Sequence, residues 1–310
     1  VTDISVVIPA YNVERYIERA VASAVGQKDV DVEVIIIDDC STDNTWSLIS
    51  AMPDSCIRAI RLERNGGPSA ARNAGFAAAT APWIAVLDGD DALEPERLRR
   101  MLARARSERA DMVVDNLTVL RERDGAQYPL FPSREFSRLR AISLAAFIDG
   151  NRFFLGERAY GYLKPIFSAD FLRQHSLAYH TKIHIGEDYF LFAEALACGA
   201  ICAVEATAGY QYTVRAGSIS RQLELSDIDR LISGDRSFVQ RYRLPPDAWH
   251  AQRRRTRSLR DARYFVQLVN ALKARDFGTA LKVAAACPPA ARHLWRPFCK
   301  AAQRKLTFQH

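Results

Sequence analysis

The amino-acid sequence predicts an α/β fold: a mostly parallel sheet flanked by helices, followed by a helical, basic C-terminal extension. Three observations carry that expectation. Short apolar, β-branched runs alternate with segments of helical spacing over residues 4–108. Three of the apolar runs end in polar clusters. The composition, 48% hydrophobic and 25% charged over 310 residues, is that of an ordinary folded soluble chain. The length suits one large domain or up to two smaller ones.

Ile4–Pro9 (ISVVIP) reads as a buried strand. Glu14–Val25 follows with Tyr16, Ile17, Ala20, Val21 and Ala24 at helical spacing. Val32–Ile37 is a second strand, ending in Asp38-Asp39-Cys40-Ser41, and Thr42 or Asp43 is placed to cap a helix reaching Met52. Ile57–Leu62 is a third strand. Asn65-Gly66-Gly67-Pro68 turns the chain, with Pro68 at the start of an Ala-rich helix. Trp83–Leu87 is a fourth strand running into Asp88-Gly89-Asp90-Asp91, and Pro95–Glu108 is a helix with a basic outer face. Strands joined in this order by crossover helices lie parallel, and ligands sit beyond their carboxyl ends.

The middle is less regular. Asp111–Leu120 reads as a strand, 122–137 as a loop or hairpin, and Leu139–Ile148 as a helix. Residues 161–173 pass from a short strand into a turn of helix. Glu187–Cys198 is a helix and Gly209–Val214 a strand. From 225 onward the chain is mostly helical, broken at Pro245-Pro246 and Pro288-Pro289. The expected units are 1–110, 111–222 and the extension 223–310.

Several classes are excluded. No run approaches the roughly 18 apolar residues that span a bilayer, and VTDISVVIPA lacks the flanks of a signal peptide. The six cysteines form no C-x-x-C pair or disulfide framework, so a reducing, cytosolic compartment is expected. Cys198 and Cys202, one helical turn apart, read as small buried hydrophobes rather than metal ligands. Charge is unevenly spread. Residues 236–310 hold 17 Lys or Arg against 3 Asp, whereas the remainder holds 26 basic and 33 acidic residues. Such a tail suits an anionic membrane face; solvated helix faces are the plain alternative.

Three strand ends thus bring polar residues to one rim: Tyr11-Asn12, Asp38-Asp39 and Asp88–Asp91. Asp88 and Asp90, separated by Gly89, are hard oxygen ligands for Mg²⁺ or Mn²⁺, which usually also coordinate a substrate diphosphate. The structural alternative is a helix start eased by Asp91 and Glu94.

VSVVIPAYN-like residues at the start, IDDCSTDNT, RNGGPSAARNAG and WIAVLDGDDALEP together resemble the inverting family 2 glycosyltransferases of the GT-A fold. GYLKPIFSADFLRQHSLAYHTKIHIGEDYFLFAEAL is similar to their acceptor half. The likeness covers residues 4–100 and about 160–220 but not the tail. It implies that Pro9, Ala10, Tyr11 and Asn12 line the nucleotide pocket. Asp39 would accept from a uracil-type ring nitrogen. Asn65, Gly66 and Arg72 would lie near the base or diphosphate, Arg72 offsetting its charge. Asp88, Gly89 and Asp90 would form the D-x-D motif, with Asp88 toward ribose and sugar and Asp90 on the metal. Glu187 and Asp188 would be the catalytic pair, Asp188 as general base. Arg215, Ser218 and Ser220 would belong to a segment closing over the diphosphate. The implied donor is a nucleotide sugar, such as a UDP-sugar. The implied acceptor is a saccharide or lipid-linked saccharide of cell-surface polysaccharide synthesis, met at the cytoplasmic face of the inner membrane.

Other readings fit less well. A nucleotidyltransferase needs a Gly-rich, basic loop after the first strand, and PAYN is neither. An oxidoreductase needs G-x-G-x-x-G there. A nucleic-acid-binding protein using the basic tail leaves the acidic rim unexplained, so no nucleic acid is expected. A zinc site at His180, His184 and Glu187 lacks the helical context it needs. His250, His293 and His310 sit in no matching motif, leaving the metal to Asp90, Asp88 and the diphosphate.

Overall fold

The computed structural model describes residues 2–52, 55–154, 158–183, 185–215 and 224–293. Four strands, β1 (Ile4–Ala10), β2 (Val32–Asp38), β3 (Ile57–Arg61) and β4 (Trp83–Val86), run parallel in the order β3-β2-β1-β4. Their crossovers carry α1 (Ile17–Val25), α2 (Thr45–Ser50) and α3 (Gly67–Ala78). Beyond β4 the pairing becomes mixed. After β5 (Ala92–Leu93) and α4 (Arg97–Glu108) come β6 (Met112–Arg121) and β7 (Ala126–Pro129), an antiparallel pair in the segment expected as a loop or hairpin. The short helices α5 (Ser133–Phe136) and α6 (Leu144–Gly150) and a 3₁₀ turn (Tyr160–Tyr162) precede β8 (Ile166–Ser168), which lies antiparallel between β4 and β6. Then follow α7 (Ala169–Gln174), α8 (Glu187–Ala197) and β9 (Cys202–Val214), which is parallel to β6 and antiparallel to β5. The mostly parallel sheet is thus parallel through β4 and mixed beyond it, with β8 antiparallel to both of its neighbours.

Boundaries shift where tertiary bonds compete with helix propensity. The first helix begins at Ile17 rather than Glu14, because the backbone N–H groups of Val13 and Glu14 donate to Thr45 Oγ1 (2.9 Å) and Asp43 Oδ2 (3.2 Å). Likewise α6 begins at Leu144, capped by Ser143 Oγ, while Ala141 bridges to Ala203. Strand β9 starts seven residues before the expected Gly209, through a polar stretch that pairs with β6 across a register shift.

The extension comprises α9 (Leu225–Arg241), α10 (Pro246–Lys273), α11 (Phe277–Ala286) and α12 (Pro288–Arg292), breaking at both expected proline pairs. It shares the main core: Ile228, Leu231, Phe238 and Leu259 are buried in the same apolar cluster as β1 and β4. The packing of α9 on α8 is close, since a methyl at Gly234 would run into the Phe190 ring. Buried Arg255 of α10 donates to Asn151 O at 2.6 Å and pairs with Asp235 at 3.2 Å. No helix among the described residues is long and apolar enough to cross a membrane, and no disulfide joins the described cysteines.

Candidate active site

The carboxyl ends of β1, β2 and β4 meet as their register requires. Asp39 N–H donates to Ala10 O at 2.8 Å. Asn12 takes the Thr42 N–H on Oδ1 at 2.9 Å and donates its own N–H to Ser41 Oγ. Asn12 and Cys40 both adopt left-handed backbone, at φ 50° and 60°. Such backbone is costly for a non-glycine residue and clusters at functional turns. Ala10 is buried and contributes its backbone, whereas the Tyr11 ring is 44% exposed beside it.

Asp39 closes the start of α3. Its carboxylate oxygens accept the N–H groups of Gly66 and Gly67, each at 2.8 Å, and Asn65 Nδ2 donates to its carbonyl at 3.1 Å. Burial raises the Asp39 pKa, the two glycine amides oppose that, and Asp38 adds to it. Five residues along α3, roughly 7.5 Å of helix, Arg72 projects into a buried ionic cluster. Its Nη2 meets Asp88 Oδ1 at 2.7 Å and its Nη1 meets Glu187 Oε1 at 2.7 Å and Asp188 Oδ1 at 3.5 Å. Lys164 Nζ bridges Asp88 Oδ2 at 2.9 Å and Asp188 Oδ2 at 2.6 Å. Burial works against ionised Asp88, but Lys164 and Arg72 outweigh it and hold that carboxyl well below the usual range. Burial also opposes charge on both cations, yet Asp188 and Asp88 keep them firmly protonated. Glu187 moves the other way, raised by burial against the pull of Arg72.

The D-x-D turn is pinned separately. Gly89 packs so tightly that an added methyl would lie 3.1 Å from Pro9 O and from Val13 Cγ2. Asp90 Oδ2 meets Arg215 Nε at 2.7 Å, and Arg19 Nη2 donates to the Asp90 carbonyl at 2.7 Å. Burial and the Asp88 charge raise the Asp90 pKa against the pull of Arg215. Asp91 does not ease a helix start. It accepts the Tyr210 O–H at 2.7 Å and the Thr213 N–H at 2.7 Å, tying the turn to β9. The same Tyr210 oxygen accepts the Asp88 N–H at 3.1 Å.

The rim therefore gathers Arg72, Asp88, Asp90, Glu187, Asp188 and Arg215, with Asp39, Asn65 and Gly66 adjoining through α3. Lys164 and Tyr210 join it unannounced. A lone lysine before a proline carries no motif, and Tyr210 reads as a strand residue. The GYLKPIF segment, already similar to an acceptor half, was the one signal for Lys164. His180 lies outside this network, with Nε2 2.9 Å from Glu194 Oε1. His184, Ser218, Ser220 and His310 lie outside the described residues. Among the described residues, no group of three or more His, Cys, Asp or Glu could hold a metal ion unaided. The arrangement does fit a cation completed by a substrate diphosphate, because Mg²⁺ commonly takes one or two carboxylates and finishes its shell with phosphate and water. Asp90 has one oxygen on Arg215, whereas both oxygens of Asp88 face cations.

Parallel strands that feed an acidic rim, faced by a carboxylate pair at a helix start, define a transferase of the GT-A type. Residues 5–167 match the family Glycosyl transferase family 2, and the chain belongs to that family. It is 48% identical to the succinoglycan biosynthesis protein ExoO of Rhizobium meliloti (strain 1021), over 98% of this chain and 87% of that protein. It is 38% identical to ExoU of the same organism, over 93% of this chain and 85% of the relative. A solved structure of S. aureus TarS 1–349 in complex with UDP-GlcNAc covers 92% of this chain and 91% of its own, at TM-score 0.66 and 19% identity. That likeness speaks for the fold. The family and the GT-A architecture expected from the sequence are borne out.

Proposed function

We propose that the chain transfers a sugar, with inversion, from a nucleoside diphosphate sugar to a saccharide or lipid-linked saccharide in exopolysaccharide synthesis. The names of its two rhizobial relatives place them in succinoglycan biosynthesis, and the UDP-GlcNAc bound to TarS makes a UDP-sugar the first donor to try. The supporting observation is the convergence of Asp88 and Asp188, from the donor and acceptor halves, on one lysine and one arginine. Asp188 sits in the first turn of α8, where the helix dipole favours its charge. Its carboxylate takes the proton from an acceptor hydroxyl as that oxygen attacks the anomeric carbon, a role worth typically 10²–10⁴-fold in rate. A single displacement inverts the anomeric configuration. Glu187 holds Arg72, and Arg72 and Arg215 supply charge facing the diphosphate. Tyr11 and Asp39 would meet the base. Asp90, with Asp88 beside it, would hold Mg²⁺ or Mn²⁺, which supplies charge stabilisation for the departing nucleoside diphosphate when bound. The basic extension would rest on the anionic cytoplasmic face of a membrane.

Calorimetric titration of UDP-, GDP- and dTDP-sugars with and without Mn²⁺ tests this reading. One donor should bind, and Asp90→Ala should remove the Mn²⁺-dependent part of its affinity. Asp188→Asn should bind that donor normally yet transfer at least a hundredfold more slowly. Failure of every nucleotide to bind would sink the reading.

A further inference from the structure

A second concavity lies away from the acidic rim. Residues of helices α9 and α10 line a cleft of about 830 Å³, within the range of small-molecule sites. Its lining includes Arg236 on α9 and Arg253, Arg257 and Arg260 along one face of α10. All four are exposed, and none has a carboxylate partner within ion-pair distance among the described residues. Arg263, which lines the same cleft, is by contrast paired with Asp229 at 2.7 Å. Two further groups point to a ligand. Gln252 is 2% exposed, with Nε2 spent on Asp235 Oδ2 at 2.8 Å, and its Oε1 is buried without any hydrogen-bond partner. An orphaned buried acceptor is costly unless a donor reaches it. Trp249, at one end of the α10 stripe, is 46% exposed.

We infer that this cleft binds the phosphate-bearing, hydroxylated headgroup of an anionic membrane lipid. Guanidinium groups are matched to phosphate oxygens. A headgroup hydroxyl supplies the donor that Gln252 Oε1 lacks. An indole with an apolar body and a polar N–H suits the bilayer interface. Residues 236–310 carry 17 basic residues against 3 acidic ones, a balance that favours anionic lipid. The inference rests on the proposed use of a lipid-linked acceptor and gives it a docking point. Because α9 packs against α8 through Leu231 beside Gly186 and through Gly234 on Phe190, a seated headgroup lies on the element that adjoins the Glu187-Asp188 helix.

Flotation of the full chain with phosphatidylcholine vesicles, with and without phosphatidylglycerol, at near-physiological salt is the test. Each basic residue near such a surface is worth roughly fivefold in partition. The R253Q/R257Q/R260Q variant should therefore lose at least tenfold in binding to the phosphatidylglycerol vesicles. A charge-matched variant of the sheet domain, R58Q/R106Q/R138Q, should lose less than threefold. Trp249→Phe should abolish the tryptophan fluorescence shift that vesicles induce. Equal losses in the two triple variants would overturn the site, leaving only diffuse attraction. So would wild-type binding as strong to phosphatidylcholine alone. Soluble glycerol phosphate, the headgroup without its chains, should compete with the vesicles at millimolar concentration; failure to compete, or RNA binding tighter than vesicle binding and lost in the same triple variant, would overturn the lipid assignment. Nucleotide-sugar affinity, read by calorimetry, should be unchanged in R253Q/R257Q/R260Q. Absence of donor binding with the vesicle pattern intact would count against the transferase reading and leave the cleft standing.

Discussion

Lys164 is the residue through which the two halves of the rim are joined. Nearly buried, it holds Asp88 and Asp188 at 2.9 and 2.6 Å, so its loss leaves two carboxylates facing each other across a gap with Arg72 as their remaining cation. Breaking one partner out of a buried ion cluster costs about 3–5 kcal/mol. Lys164→Met should show a loss of that order in chemical denaturation, together with a fall in turnover, and Lys164→Arg should recover more of the stability than of the rate. An unchanged denaturation midpoint in Lys164→Met would refute the bridging role. Asp39 argues from the opposite sign. Burial raises its pKa, so it takes up a proton at higher pH than an ordinary aspartate. Protonation removes an acceptor that a base N–H would use. Uridine nucleotide affinity should therefore weaken, as the pH is lowered, sooner than an ordinary aspartate would allow, and Asp39→Asn should be weak throughout. A pH-independent affinity in the wild type would show that Asp39 does not meet the base.

The D-x-D turn is set by elements far apart in sequence. Tyr210 of β9 donates to Asp91 and accepts from the Asp88 N–H, and the two-residue strand β5 pairs Ala92 and Leu93 with Gln211 and Tyr210. Tyr210→Phe removes both bonds and leaves the Thr213 N–H as the remaining donor to Asp91, in a buried position that already raises its pKa through burial and the charges of Asp88 and Asp90. A cost of about 1–3 kcal/mol follows, readable as a lower midpoint in urea. Donor affinity should fall with it, because the turn carrying Asp90 loses its tether. Had the turn been set by the helix that follows, donor affinity would survive the substitution. This dependence on β9 also explains which parts of the fold could be read in advance. Strands β1, β2 and β4 are largely apolar runs ending in polar clusters, so local pattern and tertiary role agree. Strand β5 is too short to have a period, and β9 passes through Glu205, Thr207 and Gly209, where polarity masks a strand held by pairing with β6. Of the site, the acidic motifs and Arg72 were legible because chemistry and strand ends coincide. Lys164 was not, since its place depends on β8 lying antiparallel beside β4.

At the scale of the whole molecule, the strongly basic extension looks separable by charge and is not separable by packing. Ile228, Leu231, Phe238 and Leu259 are at most 3% exposed and belong to the core that contains the sheet. Burying each such side chain contributes about 1.5–3 kcal/mol, so these four alone contribute about 6–12 kcal/mol. That sum is comparable to the whole stability of an ordinary domain, about 5–15 kcal/mol. The extension also satisfies groups on the other side of the boundary: Arg255 donates to Asn151 O, and Arg254 meets Asp149 at 2.7 Å. A chain cut after residue 223 should therefore fail to unfold cooperatively and should bind a hydrophobic dye at rest, whereas R253Q/R257Q/R260Q should keep the wild-type transition. If the shortened chain unfolded sharply at the wild-type midpoint, the helices would be an appendage carrying only charge. If it does not, a membrane role for the extension has to be tested with surface substitutions, because deletion would remove the support of the Glu187-Asp188 helix along with the cations.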